Sequence, residues 1–192
     1  MATDNGIIIA QVTNLEDPEN LGRIKVKYPS LDGQESDWAS LVSQMAGSER
    51  GSFFRPEVGD TVLVGFEKGE ARHPYILGSV WNQGSKPPAT DGDNKKNNWR
   101  FIKSRSGHII KLDDTQGSEK IEITDKDGTH KIIIDSANKK IQVLCDNGDV
   151  EVKAGSGKVS VSAQTIELNA TGSMTISANG DLTIRGATVK IN

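Results

Sequence analysis

A single cysteine, Cys145, stands among 192 residues. An intrachain disulfide is therefore excluded, as is a thiol metal cluster within one chain. Histidine is almost as sparse. His73, His108 and His130 lie far apart, and none is spaced from a Ser, Cys or carboxylate in the way a triad or a zinc site requires. No Phe, Tyr or Trp occurs from residue 139 to the end, so no aromatic groove for a substrate lies there. No apolar run approaches the length of a membrane-spanning helix. The opening Met1-Ala2-Thr3-Asp4-Asn5-Gly6 has neither the basic nor the apolar region of a signal peptide, and assembly in the cytoplasm is the simplest expectation.

Apolar content and charge are low as well. Hydrophobic residues make up 34% and mean hydropathy is −0.48, low for a compact enzyme and fitting for a long, thin object. Net charge is −3. Residues 1–82 hold 7 Lys and Arg against 12 Asp and Glu. A nucleic-acid groove needs basic residues with stacking aromatics, so no nucleic-acid partner is expected.

The last third is built on a short phrase: aliphatic, polar, aliphatic, then a small polar or glycine turn. Ile141-Gln142-Val143 is followed by Val150-Glu151-Val152, Val159-Ser160-Val161, Ile166-Glu167-Leu168, Met174-Thr175-Ile176, Leu182-Thr183-Ile184 and Val189-Lys190-Ile191. The mean spacing is about 8 residues, which suits strands of about 4–5 residues with one apolar face. Turn residues separate them: Asp146-Asn147-Gly148, Gly155-Ser156-Gly157, Ala178-Asn179-Gly180 and Arg185-Gly186. Each strand buries about two aliphatic side chains at roughly 1.5–3 kcal/mol apiece. That is less than the entropy of ordering an eight-residue unit. The repeats must stack, and their apolar faces need a partner. A single-chain solenoid is one solution. Three chains meeting on a threefold axis is the other, and a narrow Ile, Val and Leu core suits it better. The trimer core is then Ile141, Val143, Val150, Val152, Val159, Val161, Ile166, Leu168, Met174, Ile176, Leu182, Ile184, Val189 and Ile191.

Residues 6–82 read as a small β-barrel. Gly6 to Val12 is a buried-strand run, and Arg23 to Tyr28 alternates with Ile24, Val26 and Tyr28 on one face. Asp37 to Val42 is a third strand, although Leu41 to Met45 is compatible with a helical turn. Thr61 to Phe66 and Pro74 to Trp81 close the set. Five or six short strands with Gly-rich turns and no convincing helix suggest an OB-like barrel. Residues 83–98, with Pro87-Pro88, read as a linker. Beyond it, His108 to Leu112, Lys120 to Ile123 and Lys131 to Ile134 are strands, spaced by about 11 residues before the period tightens to about 8.

Other candidate motifs resolve into turns. Asp125-Lys126-Asp127-Gly128 opens like a calcium loop, but Ser136 stands where the glutamate belongs. Gly155-Ser156-Gly157-Lys158 has Val152 in place of the first glycine of a phosphate loop. Cys145 reads as a small core residue. Neither catalytic residues nor metal ligands nor a cofactor are expected.

Several runs together resemble the OB domain of contractile-tail spike proteins, the phage baseplate assembly protein V group and the VgrG-type spikes of type VI secretion and extracellular injection systems. They are Leu21-Gly22-Arg23-Ile24-Lys25-Val26, Trp38-Ala39, Ala46-Gly47, Arg50-Gly51, Phe54-Arg55-Pro56-Glu57-Val58-Gly59-Asp60, Val62-Leu63-Val64-Gly65-Phe66, Gly69-Glu70, His73-Pro74-Tyr75-Ile76-Leu77-Gly78 and Trp81-Asn82. Ser104-Arg105-Ser106-Gly107-His108, with Asp113-Asp114 and Gly117-Ser118-Glu119-Lys120-Ile121, resembles the start of the family's β-helical needle. The resemblance implies an all-β homotrimer: an OB collar over residues 1–82, a linker over 83–98 and an intertwined trimeric β-helix over 99–192. It also implies a non-enzymatic spike, carried in a phage tail or injection particle and driven through a target envelope. The large hub domains of VgrG-type members, the lysozyme domain of some phage spikes and the paired-histidine tip have no counterpart in these residues. A separate baseplate hub is expected on the OB side, and a PAAR-type tip protein at Val189, Lys190, Ile191 and Asn192. The alternative from another class is a single-chain β-solenoid that binds or cleaves polysaccharide. Its acids would be Glu151, Glu167 and Asp181, which are scattered. A purely adhesive trimeric fibre would lack the collar motif.

Overall fold

The computed structural model describes residues 6–89 and 96–191. The segment 90–95 of the expected linker, the first five residues and Asn192 of the expected tip contact lie outside the described residues. The chain is all-β and divides into two compact units, residues 1–144 and 145–192. The first unit carries β1 (Ile8–Asn14), β2 (Lys25–Tyr28), β3 (Gln34–Glu35), β4 (Ser40–Leu41), β5 (Ala46–Gly47), β6 (Arg50–Gly51), β7 (Thr61–Phe66) and β8 (Pro74–Ser79). It continues with β9 (Trp99–Lys103), β10 (Ile109–Asp113), β11 (Lys120–Thr124), β12 (His130–Asp135) and β13 (Lys140–Cys145), whose last residue opens the second unit. Helix is confined to two single 3-10 turns, Pro29–Leu31 and Glu67–Gly69.

The first eight strands build the barrel. Their main sheet runs β3-β2-β1-β7-β8-β4. It closes on itself through a bridge just before β2 and β4: Ile24 and Ala39 exchange both backbone hydrogen bonds, at 3.1 and 2.8 Å. Two irregularities supply the curl. The β1–β2 register shifts between Val12 and Asn14, and the β7–β8 register jumps from Leu63 opposite Gly78 to Val64 opposite Ile76. An extra residue on one strand bends it and raises its twist. Alternation then puts Ala10, Val12, Ile24, Val26, Tyr28, Ala39, Val62, Val64 and Ile76 inside, each no more than 4% exposed. Ile8, Leu15, Leu41 and Phe66 pack against this core, and the Phe66 ring tilts against Tyr28 at 6.0 Å.

The stretch after β4 is not helical. It bends and forms the β5–β6 hairpin, with Ala46 opposite Gly51. Gly51 has φ +149, and a Cβ there would meet the Met45 carbonyl oxygen at 2.4 Å. A side chain at that position is therefore blocked by backbone as well as by conformation.

The loop from β1 to β2 is held by one carboxylate. Asp17 accepts hydrogen bonds from the backbone N–H groups of Glu19, Leu21 and Arg23, and from the Arg23 guanidinium at 2.7 and 3.1 Å. Its side chain is 2% exposed. The Arg23 hydrogen bonds hold its carboxyl well below the usual carboxylate range, against the opposing effect of burial. A depressed carboxylate pKa contributes stability that is present above the unfolded value, about 3.9, and lost as pH falls below it. Asp17→Asn is expected to destabilise the barrel at neutral pH and to flatten its loss of stability between about pH 4 and pH 2. Thermal unfolding across that range checks this, and an unchanged acid limb would count against it.

The remaining strands form a second sheet in the order β13-β12-β11-β10-β9, with β9–β10, β10–β11 and β11–β12 antiparallel. β9 adds a strand where the sequence showed alternation but no defined element. The Asp125 turn is closed by its own carboxylate, which accepts from the N–H groups of Thr129 and His130 at 2.9 and 3.0 Å. Beyond β13 the described residues of the single chain form no ladder, so the strands expected from Val150 to Ile191 are not paired within it. A ladder needs a second strand alongside at about 4.8 Å. Bends do fall at 146–148, 155–157 and 179–180, where turn residues stand in the sequence.

Candidate functional site

The second sheet has its polarity inside out. Alternate residues place Lys111, Glu122, Lys131 and Asp135 on one face, which is half-buried. The opposite face carries Ile102, Ile110, Leu112, Ile121, Ile123, Ile132 and Ile134, each 41–53% exposed, with Arg100 beside Leu112 and His130 at the start of β12. Register makes this face continuous. Ile110 lies between Ile102 and Ile123, Leu112 faces Ile121, Ile121 faces Ile134 and Ile123 faces Ile132. Scattered surface isoleucines need no explanation, but a contiguous aliphatic face across four strands is a contact surface.

The repeats expose aliphatic residues as well. Ile141 and Val143 of β13 are 73% and 62% exposed. In the second unit Val150, Val152, Val159, Val161, Ile166, Leu168, Met174, Ile176, Leu182, Ile184, Val189 and Ile191 all lie between 51% and 90% exposed. Lys190 beside them is also exposed. The sequence repeat singled out these positions. The expected trimer core omits the seven aliphatics of β9–β12, although the same alternation sets their strands at the wider-spaced start of the needle.

On the barrel side, a groove of about 490 Å³ is lined by Leu41, Val42, Phe54, Phe101 and Ile102, with Ser43, Gln44 and Ser52. Phe53, Phe54 and Trp81 are 67–71% exposed. Arg105 pairs with Glu57 at 3.0 Å.

The histidines remain apart. His73 lies 3.4 Å from Glu70, the His108 N–H donates to the Ser104 hydroxyl, and His130 Nδ1 lies 3.0 Å from Asp125 within its turn. Among the described residues, no group of three or more His, Cys, Asp or Glu is placed to hold a metal ion. Among the described residues, no helix is long and apolar enough to cross a membrane. Cys145 is partly exposed, with its Sγ 3.7 Å from the Asp149 carbonyl oxygen.

Residues 8–81 match the type VI secretion system/phage-baseplate injector OB domain. The chain is also similar to the type VI secretion system spike protein VgrG3 of Vibrio cholerae, at 27% identity over 157 residues covering 77% of this chain and 15% of that protein. The actin cross-linking toxin VgrG1 of Vibrio cholerae is 25% identical over 197 residues, covering 98% of this chain and 17% of that protein. The spike protein VgrG5 of Pseudomonas aeruginosa is 27% identical over 112 residues, covering 54% and 14%. The matches thus span 14–17% of the length of these relatives. The resemblance to contractile-tail spike proteins is borne out, with the barrel residues matching the injector OB domain.

Proposed function

We propose that three copies of this chain form the central, non-enzymatic spike of a contractile injection apparatus. Residues 1–82 act as the collar, attached to a baseplate hub. Residues 99–192 act as an intertwined needle that sheath contraction drives through the target envelope. The observation that carries this reading is the exposed aliphatic face of β9–β12, together with the exposed aliphatics of the repeats. Three such faces turned toward one axis bury what a single chain leaves in water, and the gain grows with the apolar area removed. The later phrases then find their ladders on neighbouring copies. With β10 to β13 and six phrases stacked at strand spacing, the needle is about 50 Å long. Interweaving suits the load, because no strand leaves without breaking hydrogen bonds to the other chains. The particle is assembled in the cytoplasm before delivery.

At the far end, Val189 and Ile191 are 51% and 90% exposed. Open strand edges of this kind are normally covered, and a PAAR-type tip protein seated on Val189, Lys190 and Ile191 covers them. Light scattering on the purified chain should give three times its 20.7 kDa mass. The same trimer should capture a PAAR-type tip, and deletion of residues 188–192 should abolish the capture. A monomeric protein would sink the spike reading, whereas a trimer whose capture survives the deletion would remove only the tip assignment.

A further inference from the structure

The half-buried face of the second sheet carries a square of alternating charge. Across β10–β11, Lys111 faces Glu122 and Asp113 faces Lys120. Along each strand the sign alternates again. Lys111 Nζ lies 3.8 Å from both Asp113 and Glu122, and Lys120 Nζ lies 3.3 Å from Glu122. Lys111 also sits over the Trp99 ring at 4.2 Å. The side chains are 8–33% exposed, so the charges are only partly screened by solvent. Burial pushes the Glu122 and Asp113 carboxyls up, but hydrogen bonds from Thr124 and Thr115 together with the two lysines more than offset it, and both end below their ordinary values.

Strand alternation alone does not choose the register. A one-residue slip is excluded, because it would turn every isoleucine to the polar side. A two-residue slip is not. Ile110 would then face Ile121 with Leu112 against Glu119, or Leu112 would face Ile123 with Ile110 against Asp125, so either slip keeps the two faces and one of the two aliphatic contacts. The charges do discriminate. A slip in one direction sets Lys111 opposite Lys120. A slip in the other sets Asp113 opposite Glu122. Like charges directly opposite are destabilising, and opposite ones stabilise.

We propose that the Lys111, Asp113, Lys120 and Glu122 square sets the register of the β10–β11 hairpin. In the spike reading, on which this consequence rests, it also fixes the height at which each aliphatic pair meets the neighbouring copies.

Disulfide trapping in the full chain tests it, with Cys145→Ser as background. Ile110→Cys with Ile123→Cys reports the observed register. Ile110→Cys with Ile121→Cys, and Leu112→Cys with Ile123→Cys, report the two slips, since a disulfide forms only between closely placed Cα atoms. In the otherwise native chain only the first pair should close within one chain, as read by peptide mass. Lys120→Glu with Glu122→Lys inverts one strand, so like charges face in the observed register and opposite charges face in either slip. The first crosslink should then fall about tenfold relative to the slipped ones. Adding Lys111→Glu and Asp113→Lys rebuilds the square with signs exchanged, and should restore the first crosslink. An unchanged first crosslink in the one-strand inversion would overturn the proposal and assign the register to the turn closed by Thr115 and Ser118. Failure of the fourfold exchange to restore it would overturn the proposal as well. Light scattering on the same samples reports the trimer separately, so the two readings fail independently.

Discussion

On the proposed function, replacing Ile121 and Ile134 by aspartate is expected to convert the protein from a trimer to monomers of 20.7 kDa. The two residues face each other across β11–β12 on the aliphatic side, and each is 41% exposed in the single chain. In a monomer the new carboxylates stand in water and cost little. In the trimer each chain brings two of them to an aliphatic seam. The desolvation penalty of an unpaired charge is about several kcal/mol per ion after relaxation, and six gathered around one axis also repel. Lys131→Asp is the control: it lies on the polar face of the neighbouring strand β12, and should leave the mass unchanged. The barrel reports on integrity, since its core contains no residue of the second sheet. Light scattering on the three proteins settles the matter: a trimer that survives both aspartates would show that this face is not the assembly surface.

Much of the architecture was legible in the sequence, and the reasons are local. Ile24, Val26 and Tyr28 alternate with charged residues, and that period alone placed them on the inner wall. The turn at Asp125 was legible because Asp and Gly carry turn geometry in their own side chains and backbone. What was not legible depends on distant residues. Ile24 and Ala39 close the barrel across 15 positions of sequence, and no periodicity announces that pairing. The Lys111 and Glu122 contact reads in sequence as ordinary surface charge. Only the register of two strands makes it a pair. The repeats show the converse. Their pattern was the plainest in the chain, yet from Val150 on they form no ladder within a single copy. A pattern states what a face needs, not which chain supplies it.

The barrel differs from the needle in this respect, and a single residue exposes the difference. Ile24→Ala is expected to destabilise the barrel by about 2–5 kcal/mol, the range for removing a large aliphatic from a packed core. Ile24 is 0% exposed and stands at the closing bridge, so the lost methyl groups leave a void at the point where the sheet meets itself. A small domain is stable by only about 5–15 kcal/mol, so the substitution removes a large share. Ile9→Ala removes the same atoms from the outer wall of the neighbouring strand β1, where the side chain is 55% exposed, and should cost far less. Chemical denaturation of the two variants, followed through the barrel residue Trp38, separates them. The trimer mass should survive Ile24→Ala under native conditions, because the seam uses none of the barrel core. Equal loss in both variants would mean that the outer wall at Ile9 is itself buried in the assembled spike, and the collar would then share the contact surface assigned here to the needle.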